Sequence, residues 1–221
     1  MCGIVAVVAR RDCTEILLEG LRRLEYRGYD SAGFALVDRH GTLASHKCLG
    51  RVAALEDAQR ASPKHGGSGI AHTRWATHGE PSVVNAHPHI INDRIAVVHN
   101  GIIENHTALR EVLAATGREC VSATDTEVVA HMIDAAVSEG GDLLAAVQSV
   151  LPQLEGAYAL AVVNRETPDT IVVARQGSPL VLGVGIGENF AGSDTLALRS
   201  VTDTFISVSY THLTLPTICS V

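Results

Sequence analysis

No CxxC pair occurs among the five cysteines, Cys2, Cys13, Cys48, Cys120 and Cys219, and their number is odd. A disulfide framework and a cysteine zinc site are argued against, and a reducing, cytoplasmic compartment is expected. No apolar run approaches the roughly 20 residues that span a bilayer. The first apolar stretch is too short for a secretory leader and has no basic segment before it. Positive charge is never concentrated: Arg10-Arg11 and Arg22-Arg23 are pairs in a chain of net charge -7. The overall field therefore disfavours nucleic acid and anionic membranes as partners. There is no P-loop, and Gly183 to Gly187 places its third glycine one position early for a dinucleotide fingerprint. No internal repeat is found, and no low-complexity linker precedes Val201.

What is present begins at the first residues. Cys2 follows Met1 directly and leads into the apolar, β-branched run Gly3 to Ala9, which is of strand length. With Met1 removed, Cys2 carries a thiol and a free α-amine on one residue. The thiol is a nucleophile, and an amine of pKa about 7.7–8.0 is a base for its proton. Cys2 is equally compatible with a small buried residue opening an edge strand.

The 221 residues, 46% hydrophobic and 19% charged, suffice for one large domain or two small ones. Asp12 to Glu15 marks a helix start, with Leu17, Leu18, Leu21 and Leu24 at helical spacing and Gly28 as a stop. Strands are expected over Phe34 to Val37, Leu43 to Lys47, Ile70 to His72 and Ile95 to Val98. A short helix is expected over Val52 to Arg60. His99-Asn100-Gly101 reads as a turn. A helix from about Asn105 puts Leu109, Val112 and Leu113 on one face, and Thr124 to Glu127 opens another in a capping-box pattern. A third helix covers Asp142 to Leu151. Strands then return at Tyr158 to Val163, Ile171 to Ala174, Leu180 to Val184, Phe190 to Gly192 and Phe205 to Val208. Strands at both ends with helices between them predict an α+β domain. Because the strands are apolar on both faces, two face-to-face sheets with helices outside are expected.

Three polar loops accompany Cys2. Arg74 to His78 combines a guanidinium, the only indole, a hydroxyl and an imidazole. A guanidinium suits a carboxylate ligand, though a surface loop with a half-buried Trp fits as well. Asn100-Gly101 can offer a side-chain and a backbone N–H side by side, as an oxyanion hole requires, or be an ordinary turn. Asp125, at a helix start, can hold a substrate ammonium or simply favour the helix dipole. His87, His89 and His99 look like metal ligands on paper, but no carboxylate or cysteine stands at ligand spacing beside them. No metal or other cofactor is expected.

Taken together, these stretches resemble class II glutamine amidotransferase domains. Within that class they resemble the glutaminase half of the glutamine–fructose-6-phosphate aminotransferases (isomerizing), or glucosamine-6-phosphate synthases. The resemblance is carried by Met1 to Val5, Leu21 to Gly33, Gly69 to Gly79, Asn85 to His89, His99 to Asn105 and Ser122 to Glu127. It implies an N-terminal-nucleophile hydrolase fold, a four-layer αββα sandwich. It also implies roles: Cys2 as nucleophile with its own amine as base, and Asn100 and Gly101 as the oxyanion hole. Arg74 takes the glutamine carboxylate and Asp125 its ammonium. Thr77 and His78 complete the pocket, Trp75 belongs to the loop that closes over it, and Arg27 supports the site near Cys2. The implied substrate is L-glutamine. The implied partner is an isomerase half that binds fructose 6-phosphate, in a homodimeric whole enzyme.

The end of the chain departs from that family. Thr204 to Val221 carries no Asp, Glu, Lys or Arg, where the family brings a charged stretch after Phe205. The glutaminase unit is expected over 1–208, with 209–221 an atypical, non-native tail on a fragment that lacks the isomerase half. Two other readings remain at this stage. One is a non-catalytic glutamine-binding domain if Met1 stays on; the other is the glutaminase of a different class II amidotransferase.

Overall fold

A computed structural model describes residues 2–28, 30–75, 79–207 and 212–215. In chain order the elements are β1 (Gly3–Ala9), α1 (Thr14–Leu24), β2 (Ser31–Val37), β3 (Leu43–Leu49) and α2 (Val52–Ala61). Next come β4 (Ser68–Arg74), β5 (His89–Ile91), β6 (Ile95–Ile103), α3 (His106–Ala115), α4 (Thr126–Ser138) and α5 (Leu143–Val150). The rest are β7 (Gly156–Asn164), β8 (Ile171–Gln176), β9 (Val181–Val184), β10 (Glu188–Gly192), β11 (Thr204–Ser207) and β12 (His212–Leu215). One sheet has seven strands, ordered β11-β9-β10-β1-β4-β2-β3. The other has five, ordered β12-β8-β7-β6-β5.

The period of two along each strand sorts side chains between layers. On β1, Ile4, Ala6 and Val8 face the other sheet and meet Ala96, Val98, Ala159, Ala161 and Val163. Val5 and Val7 point the opposite way, against Leu17 and Leu21 of α1 and Leu55 of α2. The second sheet repeats this: Val97, Leu160 and Val162 pack on Val129 and Ile133 of α4 and Ala146 and Val147 of α5. The result is helix, sheet, sheet, helix, the αββα sandwich expected from strands apolar on both faces.

Several local expectations change. Asn100 and Gly101 do not turn the chain, because β6 runs through them and pairs Asn100 with Ala159 and Gly101 with Tyr158. The glycine is needed for a different reason. It has φ +123°, and a Cβ there would lie 1.9 Å from the Ala157 carbonyl oxygen. The residue before α1 is Cys13, not Asp12, and Asp12 instead accepts from the backbone and hydroxyl of Thr14 and from Gly66 N–H. Thr124 does not cap α4. Asp125 stands at the cap, and Glu127 reaches back to the N–H groups of Val121 and Ser122. α5 does begin as read, with Asp142 accepting from Ala145 N–H. The short strand β5 was not read from the sequence. Residues past Ser209 had no expected place, yet His212–Leu215 pair with β8.

Leu17 is fully buried, whereas Val112 is 64% exposed despite its place on the expected apolar face of α3. Leu17→Ala is therefore expected to lower unfolding free energy by about 2–5 kcal/mol. Val112→Ala is expected to change it by no more than about 0.5 kcal/mol. Urea titrations of the two variants measure the contrast, and equal losses would show that the helix layer is placed wrongly.

Candidate active site

β1 pairs with β4 so that Ile4 lies opposite His72 and Gly3 opposite Thr73. Cys2, just before β1, thus stands beside the end of β4 at Arg74. Alternation puts Ile70 of β4 on the inter-sheet face, and His72 and Arg74 follow it at steps of two. Asn100, two residues beyond Val98 on β6, comes from the facing sheet. The four side chains meet at the end of the inter-sheet layer, where apolar packing stops.

The Cys2 thiol is half-buried. It accepts a hydrogen bond from Trp75 N–H at 3.3 Å and lies 3.6 Å from the Trp75 carbonyl oxygen, to which it can donate. Burial pushes its pKa up, with the Trp75 N–H acting in the opposite direction. The Asn100 side-chain Nδ2 donates to the Cys2 carbonyl at 3.1 Å. Arg74 is almost wholly buried, and its guanidinium donates to the carbonyls of Gly79 and Glu80 at 3.2 and 3.4 Å. The Asn85 side chain fixes that segment, giving a hydrogen bond to the Glu80 carbonyl and taking one from Ala123 N–H. Asp125 is buried and accepts from Ile103 N–H of β6 at 2.8 Å, and it makes no capping bond to the backbone of its own helix.

A small cavity joins these groups. Its walls include Cys2, Arg74, Trp75, Gly101 and Asp125, and at about 20 Å³ it has room for a single water. Expected positions from three separate elements, the end of β4, β6 and the start of α4, thus share a cavity with Cys2. Trp75 is 57% exposed, and it is its backbone that hydrogen bonds to the thiol. Arg27 is not part of the wall. It pairs with Asp194 at 2.6 Å and with the Tyr26 hydroxyl at 3.0 Å. Next to Asp194, Ser193 hydrogen bonds to both N–H and carbonyl of Ile4, which links Arg27 to the site through β1. Thr77 and His78 lie outside the described residues. A larger cavity of about 640 Å³, lined by Arg10, Arg39, His65 and Asp169 among others, holds none of the expected site residues.

Sequence reasoning grouped His87, His89 and His99 on paper as metal ligands, but it missed His72 and the buried imidazole cluster these rings form with it. His72 Nε2 lies 2.9 Å from the His99 carbonyl and 3.0 Å from Asn100 Oδ1. Its Nδ1 is 3.0 Å from His87 Nδ1. The His72 and His87 rings meet edge to face at 4.2 Å, and His87 and His89 likewise at 4.9 Å. His99 bonds Thr126 Oγ1, and His89 bonds Thr124 Oγ1, each at 2.9 Å. Positions 72, 87, 89 and 99 have no common spacing, and only the pairing of strands brings them together. Among the described residues no group of three or more His, Cys, Asp or Glu side chains is placed to hold a metal ion. No described helix is long and apolar enough to cross a membrane.

Burial holds His72 and His89 down to about 3 and His87 well below its ordinary value. The unfolded chain takes up these protons near pH 6.5, the folded chain only at far lower pH. Stability is thus fully present above pH 6.5 and lost as pH falls below it, by about 1.4 kcal/mol per pH unit for each imidazole. The urea midpoint is expected to drop between pH 7 and pH 5. A level midpoint would mean that the rings ionise freely in the folded protein.

A family model described as "glutamine amidotransferase domain" matches residues 72–199. The glutamine–fructose-6-phosphate aminotransferases [isomerizing] of Escherichia coli K12 and Salmonella typhimurium LT2 are each 59% identical over 206 residues. Those matches cover 93% of this chain and 34% of each relative, so the chain spans about a third of their length. Among solved structures, the glutamine phosphoribosylpyrophosphate amidotransferase of B. subtilis aligns with a TM-score of 0.79 at 28% identity. That alignment covers 93% of this chain and 44% of the other. A glutamine aminotransferase class-II domain protein from Silicibacter pomeroyi aligns with a TM-score of 0.58, covering 86% and 87%; at 18% identity it speaks for the fold alone.

Proposed function

We propose that this chain, which belongs to the glutamine amidotransferase domain family, hydrolyses glutamine to glutamate and ammonia through a thioester on Cys2. Its αββα architecture is that of the N-terminal-nucleophile hydrolases. The observation that carries the proposal is the convergence of Cys2, Arg74, Gly101 and Asp125 on one polar cavity at the start of β1.

Removal of Met1 frees the α-amine of Cys2, which takes the thiol proton. The thiolate adds to the side-chain amide carbon of glutamine. The oxygen that becomes negative is held by the Asn100 side-chain N–H and the Gly101 backbone N–H, each worth about 10²–10³ in rate. The amine returns its proton to the leaving nitrogen, and ammonia departs. Water then cleaves the thioester, releasing glutamate and restoring the thiol. Arg74 takes the α-carboxylate as a charge-assisted pair, and Asp125 takes the α-ammonium. Thr77 and His78 complete the pocket. Trp75 gates it, since its backbone now lies on the thiol that glutamine must reach. Arg27 supports β1 through Asp194.

The ammonia serves an isomerase half outside this chain, which binds fructose 6-phosphate in a homodimeric, cytoplasmic glucosamine-6-phosphate synthase. The support is the 59% identity to enzymes named for that reaction. The glutaminase unit occupies 1–208, and 209–221 takes no part in its chemistry, although His212–Leu215 pair with β8.

Cys2→Ala is expected to abolish glutamate release from glutamine by the purified chain. Intact mass on the same sample reports loss of Met1. Turnover near wild type in the alanine variant would overturn the mechanism. Asn100→Ala is expected to lower kcat by about 10²–10³ with little change in KM. A change confined to KM would remove Asn100 from the oxyanion hole.

A further inference from the structure

We infer that His72 is a positioning residue, whose ring is locked in one tautomer by its neighbours and fixes which end of the Asn100 amide faces Cys2. The inference rests on the proposed role of Asn100 as a donor to the oxyanion.

The hydrogen-bond chemistry leaves one arrangement. A backbone carbonyl only accepts, so the 2.9 Å contact from His72 Nε2 to the His99 carbonyl puts the proton on Nε2. The same N–H faces the Asn100 side chain at 3.0 Å, where only the amide oxygen can accept it. Nδ2 must then take the opposite end, where the Cys2 carbonyl, again a pure acceptor, lies 3.1 Å away. Two carbonyls therefore determine the orientation of the amide, with the His72 ring as the link between them.

The second nitrogen of His72 closes the argument. The ring is fully buried and neutral, so with Nε2 protonated its Nδ1 carries a bare lone pair. His87 Nδ1, 3.0 Å away, must be the donor to it. His87 is thus the opposite tautomer, protonated on Nδ1, and its buried Nε2 has no hydrogen-bond partner among the described residues. The chain from His87 to His72 to Asn100 runs in one direction. Reversing it would set a protonated Nδ1 of His72 against His87 and a bare Nε2 against a carbonyl. A buried acceptor set against a carbonyl with no proton between them is unfavourable, which keeps the amide from flipping.

The test uses the full chain. Long-range ¹H–¹⁵N spectra of histidine-labelled protein are expected to show His72 protonated on Nε2 and His87 on Nδ1. His72→Leu, which removes the donor, is expected to lower kcat about 10–100-fold while KM for glutamine stays within about threefold. His72→Gln can place an N–H near the Nε2 position and is expected to recover most of that loss. In an Asn100→Ala background, His72→Leu is expected to have little further effect, because its action passes through the missing amide. His72 protonated on Nδ1, or an equal loss of kcat with and without Asn100, would overturn the inference. The spectra need no turnover and do not depend on the leucine variant folding. A wild-type chain that does not hydrolyse glutamine would refute the proposed function and leave the tautomer measurement standing.

Discussion

Two sheets pressed face to face through small side chains set the terms for everything else in this protein. The layer between them is built largely of alanine and valine, including Ala6, Ala35, Ala96, Ala159, Ala161, Val8, Val98 and Val163. Small side chains let the sheets approach closely, and the central strands are buried on both faces. A polar group admitted to such a layer cannot reach water, so it must find its partner inside the protein. The layer turns polar at one end, at the start of β1. There the requirement for partners, more than any local preference of the chain, decides where each side chain points.

The bonds made at that end cross between the sheets. His72 of β4 reaches the His99 carbonyl and the Asn100 amide of β6, and Asn100 reaches back to the carbonyl of Cys2. Hydrophobic contact is non-directional and would tolerate a small slide of one sheet over the other. These hydrogen bonds would not, because their lengths and angles are confined to a narrow range. The strand that presents the thiol is therefore held in register with the strand that presents the amide. Such a site holds its donors in place before any charge develops, which is where electrostatic stabilisation costs least. Asn85 extends the same logic outward by tying the Glu80 carbonyl, which Arg74 also contacts, to Ala123.

Most elements were legible in the sequence because their signals are local. The leucine spacing of α1 and the β-branched runs of β1, β6, β7 and β8 each identify their own layer. The failures occur where a non-local contact outweighs a local signal. Asn-Gly ordinarily turns a chain, but here β7 continues the ladder past it, and the glycine serves the close approach of the Ala157 carbonyl. Thr124 to Glu127 has the form of a capping box, yet Glu127 is drawn to Val121 and Ser122 N–H, and Asp125 to Ile103 N–H. Val112 has helical spacing with Leu109, but the face it occupies meets solvent. Cys2, Arg74, Asn100 and Asp125 could be named from their stretches. The place of His72 among the imidazoles could not, since no spacing in a sequence encodes which strands become neighbours.

That cluster also bears on the identity of the base in the proposed reaction. A thiol that shares its cavity with His87 and His99 invites a cysteine–histidine pairing. The physical state of the rings argues otherwise. His72 has its Nε2–H directed at two oxygen atoms and its Nδ1 facing His87, so neither nitrogen is available to Cys2. Burial holds its pKa at about 3, while it raises that of the thiol above the ordinary value. Each unit of mismatch adds about 1.4 kcal/mol to the cost of moving the proton, so this imidazole is a poor acceptor for it. An α-amine of pKa about 7.7–8.0 matches the thiol far more closely. It is also attached to the same residue, so it needs no further side chain to hold it there. Burial likewise holds His87, which shares the cavity with Cys2, well below its ordinary value, so in the proposed reaction the base is the α-amine that removal of Met1 creates beside the thiol.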